Sequence, residues 1–280
     1  MKYIEIKAPA KINIGLSILS KRSDGFHNLS TLFYPINDLF DLLVFEPADK
    51  FSFECNSDSV PNDHSNLVVK AKNILNNFTG KDLKVKITLN KEIPSQAGLG
   101  GGSSDAAATL ISLNEMFHLG LKHEELLNLS LQLGSDVPFF IRSRPAIGTS
   151  RGEVLEYIDL EITDPILIIN PRINISTKEA FQNIIPGYNS LDYRMIIKED
   201  KLDYSMVKEL VKNDFEDYVF NKYPEIGRIK ESLYSLGAYF ALMSGSGSTV
   251  YGIFPDNKMA EIAMSVFSRN YFCYLSIPHH

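Results

Sequence analysis

The 280-residue sequence has no tryptophan and only two cysteines, Cys55 and Cys273, which lie far apart in the chain. Two isolated thiols build neither a disulfide framework nor a cysteine-based metal knuckle, so we expect both to be reduced and mostly buried. Apolar runs fall well short of the roughly 20 residues that a membrane-spanning helix needs. The start of the chain carries Lys2, Glu5 and Lys7 and lacks the apolar centre of a secretory signal. These absences predict a cytoplasmic protein that does not enter a membrane.

An excess of positive charge is missing as well. The chain has 28 Lys and Arg residues against 34 Asp and Glu residues, which gives a formal net charge of −6. No global positive field therefore attracts the protein to nucleic acid or to an anionic membrane, although an anionic ligand would need a local basic patch. Apolar residues make up 44% of the chain and charged residues 22%, which is close to the globular average and argues against extensive disorder.

Alternating apolar residues predict several strands. From Ile4 to Ile18 the even positions are apolar and most odd positions are polar, which is the period of a half-buried strand. Pro9 cannot donate to a strand ladder, so it indicates a sheet edge or a break between two strands. Similar patterns predict strands at residues 39–45, 51–53, 85–89, 166–169, 239–243 and 249–254.

Helical periodicity separates these strands, and it predicts helices at residues 66–77, 104–118, 124–133, 177–184, 207–211, 226–236 and 257–267. Strands and helices do not alternate regularly as they do in a doubly wound sheet, so the expected fold class is α+β. The pattern restarts after Asp164-Pro165. We therefore expect an N-terminal domain at residues 1–160 and a C-terminal domain at residues 161–280.

A glycine-rich segment ahead of an alanine-rich run is the strongest motif. Glycine allows positive φ angles and close approach of a ligand, and Ser103 or Ser104 can cap the helix that follows. The free amides at such a helix start favour an anion, most often phosphate. The segment has neither the Walker A sequence nor the dinucleotide-binding glycine spacing, and a purely structural turn is the alternative. Its residues are Pro94, Ser95, Gln96, Ala97, Gly98, Leu99, Gly100, Gly101, Gly102, Ser103, Ser104 and Asp105.

Two further segments carry charged or polar candidates. Asp136 follows the helix-ending Gly134, and Pro138 is expected to hold Val137 extended. Asp136 is a candidate base for a substrate hydroxyl, or else only a turn or cap residue.

In the first strand, Lys11 and Asn13 share the face opposite the isoleucines. Lys11 could offset developing phosphoryl charge and hold a carboxylate ionised, and a solvated strand face is the alternative. Residues 243–249, Met-Ser-Gly-Ser-Gly-Ser-Thr, form either a simple hairpin turn or a surface that packs against a ligand or the first glycine loop.

Together these segments resemble the GHMP small-molecule kinase family. Residues 94–105 are similar to its phosphate loop, and residues 243–249 are similar to its C-terminal glycine motif. A closer resemblance is to the branch whose acceptor is a cytidine diphosphate-linked methylerythritol, and Gly-Phe-His ending at His27 most separates this branch from mevalonate or homoserine kinases. The segments that carry it are Ala8–Gly15, Ser23–Leu29, Ala97–Ala107, Gly134–Phe140 and Gly148–Glu153.

The resemblance spans nearly the whole chain and implies a two-domain GHMP kinase fold with a ferredoxin-like C-terminal domain. It implies phosphorylation of the acceptor's 2-hydroxyl by ATP in the non-mevalonate route to isoprenoid precursors. The transfer would be direct and in line, with Mg²⁺ held by the ATP phosphates rather than by a protein cage. The protein is expected to act as a monomer or a weak homodimer.

Specific roles follow from the resemblance, residue by residue. Asp136 would be the base, with Lys11 beside it, and Asn66 would lie near the adenine while residues 94–104 hold the triphosphate. The acceptor would be bound by Asn13, Phe26, His27, Thr177 and Phe181, where His27 contacts the cytosine edge and Phe181 stacks on the ring. Taken alone, His27 would be an ordinary polar residue and Phe181 a core residue.

Two positions depart from the pattern of this branch. Phe26 replaces a common Tyr, which keeps the stacking face and loses a hydroxyl, and Ser150 replaces a common Gly.

Two other functions remain open on the sequence. One is a GHMP kinase that acts on homoserine, mevalonate or a sugar, which would lack a cytosine pocket. The other is a nucleotide-binding or regulatory protein that kept the fold and lost the chemistry. The presence of both Lys11 and Asp136 argues against the second.

Overall fold

The structure is a computed structural model that describes residues 3–57, 60–187 and 190–277. The chain folds into two compact units, each made of several segments. The first unit contains residues 1–11, 35–95 and 100–144, and the second contains residues 12–34, 96–99 and 145–280. The boundary near residue 160 stays a prediction.

The strands are β1 (Ile4–Lys21), β2 (His27–Pro47), β3 (Ser52–Cys55), β4 (Val85–Asn90), β5 (Ala146–Thr149), β6 (Val154–Tyr157), β7 (Ile166–Asn170), β8 (Ile197–Lys198), β9 (Lys201–Leu202), β10 (Phe240–Met243), β11 (Val250–Ile253) and β12 (Phe272–Ser276). The helices are α1 (Leu67–Thr79), α2 (Gly101–Met116), α3 (His123–Leu131), α4 (Val137–Phe140), α5 (Thr177–Gln182), α6 (Tyr204–Leu210), α7 (Phe215–Lys222), α8 (Pro224–Ser235) and α9 (Asn257–Phe267), with a 3₁₀ turn at Tyr193–Ile196.

In the first unit, β2, β3 and β4 belong to a six-stranded sheet, and the unit also holds the helices α1 to α4. β2 and β4 pair antiparallel, with Leu42 opposite Asn90, and β3 adds to β4 in parallel. The helix α1 lies against α2, and α2 is buried along most of its length because alanines, leucines and small hydroxyl residues let neighbouring elements approach closely. The N-terminus of α2, which follows the glycine-rich segment, is therefore fixed by packing on several sides.

In the second unit, four antiparallel strands pair in the order β10-β11-β7-β12. With α8 and α9 packed on the sheet, this order is that of a ferredoxin-like split βαβ arrangement. Ile169, Leu233, Ala260 and Phe267 are among the apolar residues of its core. The mixture of helices and strands in both units confirms the α+β fold class.

The first strand differs from its prediction. β1 runs without a break through Pro9, so the expected break is wrong and only the edge interpretation survives. The side chains alternate in exposure from Ile4 to Ala10, as predicted for a half-buried strand, but residues 10–16 are buried at every position, so the prediction is wrong for that part of the strand. Alternation in the sequence shows which side chains are polar and not which are exposed. Lys11 and Asn13 are polar but buried.

Other bounds also changed. β2 begins at His27, far ahead of the predicted residues 39–45. The prediction missed its first half because polar residues there interrupt the apolar alternation. The strands β5, β6, β8, β9 and β12 and the helices α4 and α7 were not predicted. Cys55 and Cys273 are free but only partly buried, and burial raises the pKa of Cys273 to about 11. Among the described helices, none has the length and apolar character that crossing a bilayer requires.

A glycine in β1 creates the room for a buried tyrosine in the second unit. Gly15 has a φ of 85°, and a Cβ there would lie 2.9 Å from the ring of Tyr193. The Tyr193 hydroxyl donates to the carbonyl of Ser30 at 3.2 Å. The 3₁₀ turn is thereby tied to the start of β2, and it packs against the strand that carries Asn13.

We expect Gly15→Ala to lower the free energy of unfolding by about 3 kcal/mol, because it adds a steric clash to left-handed backbone strain. Gly120→Ala is the matched control. Gly120 has a similar φ of 74°, and no described atom lies within 4 Å of its added Cβ. Urea denaturation measures both variants, and equal losses for the two would contradict the packing argument.

Candidate active site

The glycine-rich segment ends in a helix start. Gly100 is the N-cap of α2, with φ 72° and ψ 13°, and its carbonyl accepts a hydrogen bond from Ser104 N at 2.9 Å. Ser103 and Ser104 therefore lie inside the first turn, and the expectation that one of them caps the helix is wrong. Glycine takes the left-handed conformation without strain, which lets the helix begin three residues before Ser104. The amides of residues 101–103 precede the first intrahelical donor and are the ones available to an anion.

The start of α2 lies against a buried lysine. A Cβ on Gly100 would lie 3.2 Å from Lys11 Cε and 2.7 Å from the Phe140 ring, so only glycine fits there. The Oγ of Ser104 is buried and makes no hydrogen bond to the described residues. A positive side chain, free amides and a buried hydroxyl are groups that suit a phosphate.

The same lysine reaches Asp136. Lys11 Nζ lies 3.7 Å from Asp136 Oδ2, and the side chain of Lys11 is 3% exposed whereas that of Asp136 is 39% exposed. Burial lowers the pKa of Lys11, and the charge and hydrogen bond of Asp136 partly offset this. The alternative of a solvated strand face is thus wrong for Lys11.

Asp136 stands at the N-terminus of the short helix α4. Val137 is its first helical residue, so the expected extended conformation is wrong, and Pro138 lies in the first turn, where a missing N–H costs little. Asp136 makes no side-chain hydrogen bond to the amides of α4, a helix that lies wholly within the described residues. Its carboxylate is partly open to solvent and directed toward a buried ammonium, which is an arrangement that suits a proton acceptor.

Asn66 caps the helix that packs on α2. Its Oδ1 accepts from Val68 N at 2.9 Å, and its Nδ2 donates to the carbonyl of Pro61 at 2.8 Å. The next residue, Leu67, would lie 3.6 Å from a Cβ on Gly102. Asn66 therefore lies close to the phosphate loop, with both ends of its amide already bonded. Its contact with adenine stays a prediction.

In the second unit, residues 96–99 contact the turn between β10 and β11. Ser244 Oγ donates to the carbonyl of Gly98 at 2.8 Å, and a Cβ on Gly98 would lie 2.0 Å from the carbonyl oxygen of Ser244. Thr249 N donates to the carbonyl of Ala97 at 3.3 Å. Residues 243–249 are thus a hairpin turn that also holds the glycine segment, so the two interpretations of this motif are both correct.

Asn13 is buried beside this turn. Its backbone amide donates to Ser244 Oγ at 3.2 Å, and its side-chain Nδ2 donates to Thr31 Oγ1 at 2.8 Å. Tyr251 donates its hydroxyl to the Asn13 carbonyl at 3.0 Å. The solvated strand face is therefore wrong for Asn13 as well.

Aromatic residues gather at another place in the second unit. The rings of His27 and Phe181 stack with centroids 5.1 Å apart and an interplanar angle of 19°, and Phe215 meets Phe181 edge-on at 4.9 Å. Burial and the charge of Lys21 lower the pKa of His27, so its imidazole is neutral at neutral pH. A neutral imidazole both donates and accepts hydrogen bonds.

The remaining acceptor candidates lie on polar networks. Phe26 is 50% exposed, and the guanidinium of Arg151 lies 4.7 Å from its ring centroid. Thr177 begins α5, and its hydroxyl lies 2.9 Å from that of Ser246. Ser150 has a φ of 62°, a left-handed conformation that favours glycine. Its hydroxyl accepts a hydrogen bond from Arg22 and donates one to Glu153, and these bonds stabilise serine at this position.

Sequence reasoning missed a residue that supports the C-terminal glycine turn. Asn213 is buried, and its Nδ2 donates to the carbonyls of Met243 and Gly245 at 2.7 and 2.8 Å. It follows α6 in a segment with no glycine, repeat or charge pattern, so no local signal marks it. Among the described residues, no group of three or more His, Cys, Asp or Glu side chains could hold a metal ion.

Comparison with known families decides the class of protein. Residues 66–144 match the profile "GHMP kinases N terminal domain", and residues 198–272 match "GHMP kinases C terminal". The chain belongs to the GHMP kinase family. It is therefore an ATP-dependent small-molecule kinase. The alternative of a nucleotide-binding or regulatory protein that lost the kinase activity is not supported.

Similarity extends over the full length of several GHMP kinases. The chain is 41% identical to the 4-diphosphocytidyl-2-C-methyl-D-erythritol kinase of Chlorobium phaeobacteroides (strain BS1), over 99% of this chain and 98% of that protein. It is 43% identical to the enzyme of the same name from Bacteroides thetaiotaomicron, over 95% and 96%.

Solved structures agree with this. A crystal structure of 4-(cytidine 5'-diphospho)-2C-methyl-D-erythritol kinase matches with a TM-score of 0.82 and 31% identity, over 97% of this chain and 98% of that one. A homoserine kinase from Cytophaga hutchinsonii matches with a TM-score of 0.76 at 18% identity, over 99% and 95%, which shows a shared fold alone.

The contact between Gly98 and Ser244 gives a test of this GHMP kinase. We expect Gly98→Ala to lower the free energy of unfolding by about 3 kcal/mol and to weaken ATP binding, since the added Cβ overlaps backbone that cannot move aside. Gly80→Ala is the control, because Gly80 has a φ of 68° and no described atom lies within 4 Å of its added Cβ. Thermal denaturation with and without ATP measures both effects. A Gly98→Ala protein as stable and as responsive to ATP as the control would contradict the contact.

Proposed function

We propose that this kinase transfers the γ-phosphoryl group of ATP to the 2-hydroxyl of 4-diphosphocytidyl-2-C-methyl-D-erythritol, a step in the non-mevalonate route to isoprenoid precursors. The observation that carries the proposal is the Lys11–Asp136 pair beside the start of α2. It occurs in a chain whose relatives, at 35–43% identity over nearly their full length, bear the name of that enzyme.

The triphosphate of ATP would lie at the N-terminus of α2, where free amides and the helix dipole favour negative charge. The glycine segment, residues 94–104, would supply the close backbone approach, and Asn66 would lie near the adenine. Mg²⁺ would be held by the phosphates and water, where it neutralises charge on the group in transfer.

Asp136 would accept the proton of the attacking hydroxyl. Its carboxylate is accessible to solvent, and the buried Lys11 ammonium lies 3.7 Å away, where it can orient the carboxylate for the hydroxyl. Lys11 lies against Gly100 as well, so the same positive charge would offset the charge that develops on the phosphoryl group. The hydroxyl oxygen would attack phosphorus in line, and the ADP oxygen would leave without a covalent enzyme intermediate.

The cytosine of the acceptor would bind at the aromatic pair of His27 and Phe181. These two rings stack on each other, so the face of Phe181 that would receive the base is covered by the imidazole. The base would take that place, and His27 would turn to hydrogen-bond its edge. Phe26, Asn13 and Thr177 would complete the acceptor site.

The assignment of residues 1–160 to an ATP-binding domain and of residues 161–280 to a C-terminal domain is part of the proposal. A cytoplasmic location and a monomer or weak homodimer also stay predictions of the sequence.

The base is tested by substitution. We expect Asp136→Asn to lower kcat by about a factor of 100 or more, because proton acceptance is lost while the side-chain shape is kept. Asp82→Asn is the control, since Asp82 is an exposed partner of Lys72. Coupled detection of ADP measures both variants, and near wild-type turnover by Asp136→Asn would remove Asp136 from this role.

The acceptor is tested by an assay of ATP consumption with a panel of alcohols. We expect turnover with the diphosphocytidyl methylerythritol, competition by cytidine diphosphate, and little turnover with homoserine, mevalonate or sugars. Phe181→Leu should raise the KM of the acceptor by about tenfold and leave the KM of ATP unchanged, since stacking on a base contributes about 1–3 kcal/mol. Efficient turnover of homoserine or mevalonate without inhibition by cytidine diphosphate would overturn the proposed acceptor.

A further inference from the structure

Three charged side chains form a buried cluster in the first unit. The exposed fraction is 0% for the side chain of Asp41, 5% for Lys91 and 3% for Asp105. Lys91 Nζ donates to Asp41 Oδ2, and it also donates to Asp105 Oδ2 at 2.8 Å. One ammonium therefore bridges two carboxylates that come from β2 and α2.

This cluster lies directly beside the start of α2. Asp41 Oδ1 accepts hydrogen bonds from the amides of Glu92 and Ile93, at 2.7 and 2.9 Å, so it holds the chain that leads from β4 into the glycine segment. A Cβ on Gly101, the first residue of α2, would lie 3.2 Å from Lys91 Nζ. The cluster thus contacts the chain just before the glycine segment, at Glu92 and Ile93, and the start of α2 at Gly101.

Burying these charges is unfavourable unless a specific geometry is gained. An apolar cluster of similar volume would stabilise a protein as well or better, because the charges lose their hydration. Hydrogen bonds from one ammonium to two carboxylates fix directions as well as distances, which apolar packing does not. The geometry that is fixed here is the placement of the first turn of α2 against the end of β4.

The net charge of the cluster bears on an anionic ligand. Two carboxylates and one ammonium sum to −1, which would repel a phosphate at the neighbouring helix start. Burial raises the pKa of Asp105 to about 8, Lys91 draws it down, and Asp41 adds to the increase. Near neutral pH the protonated form of Asp105 is therefore favoured, which reduces the negative charge of the cluster.

Three charged groups on the other elements around α2 have partners of their own. Lys72 of α1 pairs with Asp82 at 3.7 Å, and Glu125 of α3 accepts the amide of Lys122 at 2.8 Å. Asp136, ahead of α4, pairs with Lys11. Within the described part of the chain, Lys91 donates to Asp105, and Asp41 is close enough to raise its pKa.

We propose that Asp105 is a positioning residue for ATP, which acts through Lys91 and Asp41 to hold the amides at the start of α2 where the phosphates bind. In its protonated form it does so without placing a negative charge beside them. The inference rests on the nucleotide half of the proposed function and does not depend on the identity of the acceptor.

The test is the affinity of the full chain for a Mg²⁺-bound non-hydrolysable ATP analogue, measured by calorimetry. At pH 7 we expect Asp105→Ala to weaken binding by about tenfold, since the bridge to α2 is lost, and Asp105→Asn to bind within about threefold of wild type, since it mimics the neutral acid. From pH 7 to pH 9 the wild-type affinity should fall about fivefold more than that of Asp105→Asn, because only the wild type gains a charge. The KM of the acceptor should not change in either variant.

Glu54→Gln is the matched control, because Glu54 forms an exposed ion pair with Lys86. Wild-type affinity in Asp105→Ala, or identical pH profiles for wild type and Asp105→Asn, would overturn the inference. If Asp105→Ala does not fold, the pH comparison with Asp105→Asn decides by itself. A wild-type chain that fails to bind the analogue would contradict the proposed function, whereas equal affinities of wild type and Asp105→Ala contradict only this inference.

Discussion

The buried ammonium of Lys11 is the group on which the proposed chemistry of the first unit depends. It lies against the glycine that starts α2 and 3.7 Å from a carboxylate that is open to solvent, so one positive charge serves two groups. A buried lysine is costly unless an anion faces it, and Asp136 supplies that anion here. ATP would supply a second, so binding of the nucleotide would further offset the cost of burying the lysine.

Steric constraints at a few glycines hold the rest in place. Gly100 lets α2 begin beside Lys11, and Gly98 lets residues 96–99 meet the carbonyl of Ser244. At Gly98 a methyl group would overlap the backbone of Ser244, and at Gly100 it would press on the ring of Phe140, so the backbone geometry at both positions requires glycine. The aromatic pair of His27 and Phe181 is a softer element, since stacked side chains can separate when a third ring enters.

Much of the fold could be predicted from local patterns. Helix α9 has the predicted bounds, residues 257–267, because its apolar period and flanking polar residues are regular. The first half of β2 could not be found, since its polar residues hide the alternation. The predicted N-cap of α2 was wrong. Serine is a usual N-cap residue, but here Gly100, with a positive φ, is the N-cap and the helix begins earlier than predicted. The contact of Lys11 with Asp136 joins residues 125 positions apart, and Lys91 with Asp41 is another long-range pair, so neither follows from spacing or period.

Lys11 and Asp136 are proposed to act as one unit, and a double-mutant cycle on kcat measures whether they do. Lys11→Met, Asp136→Asn and the double variant would be compared with wild type in single-turnover experiments at saturating ATP and acceptor. We predict that each single change lowers the rate by about a factor of 100 or more and that the double variant is no slower than the slower single one, since groups that act together are strongly non-additive. Effects that multiply in the double variant would show that the two residues act independently and would contradict the claim.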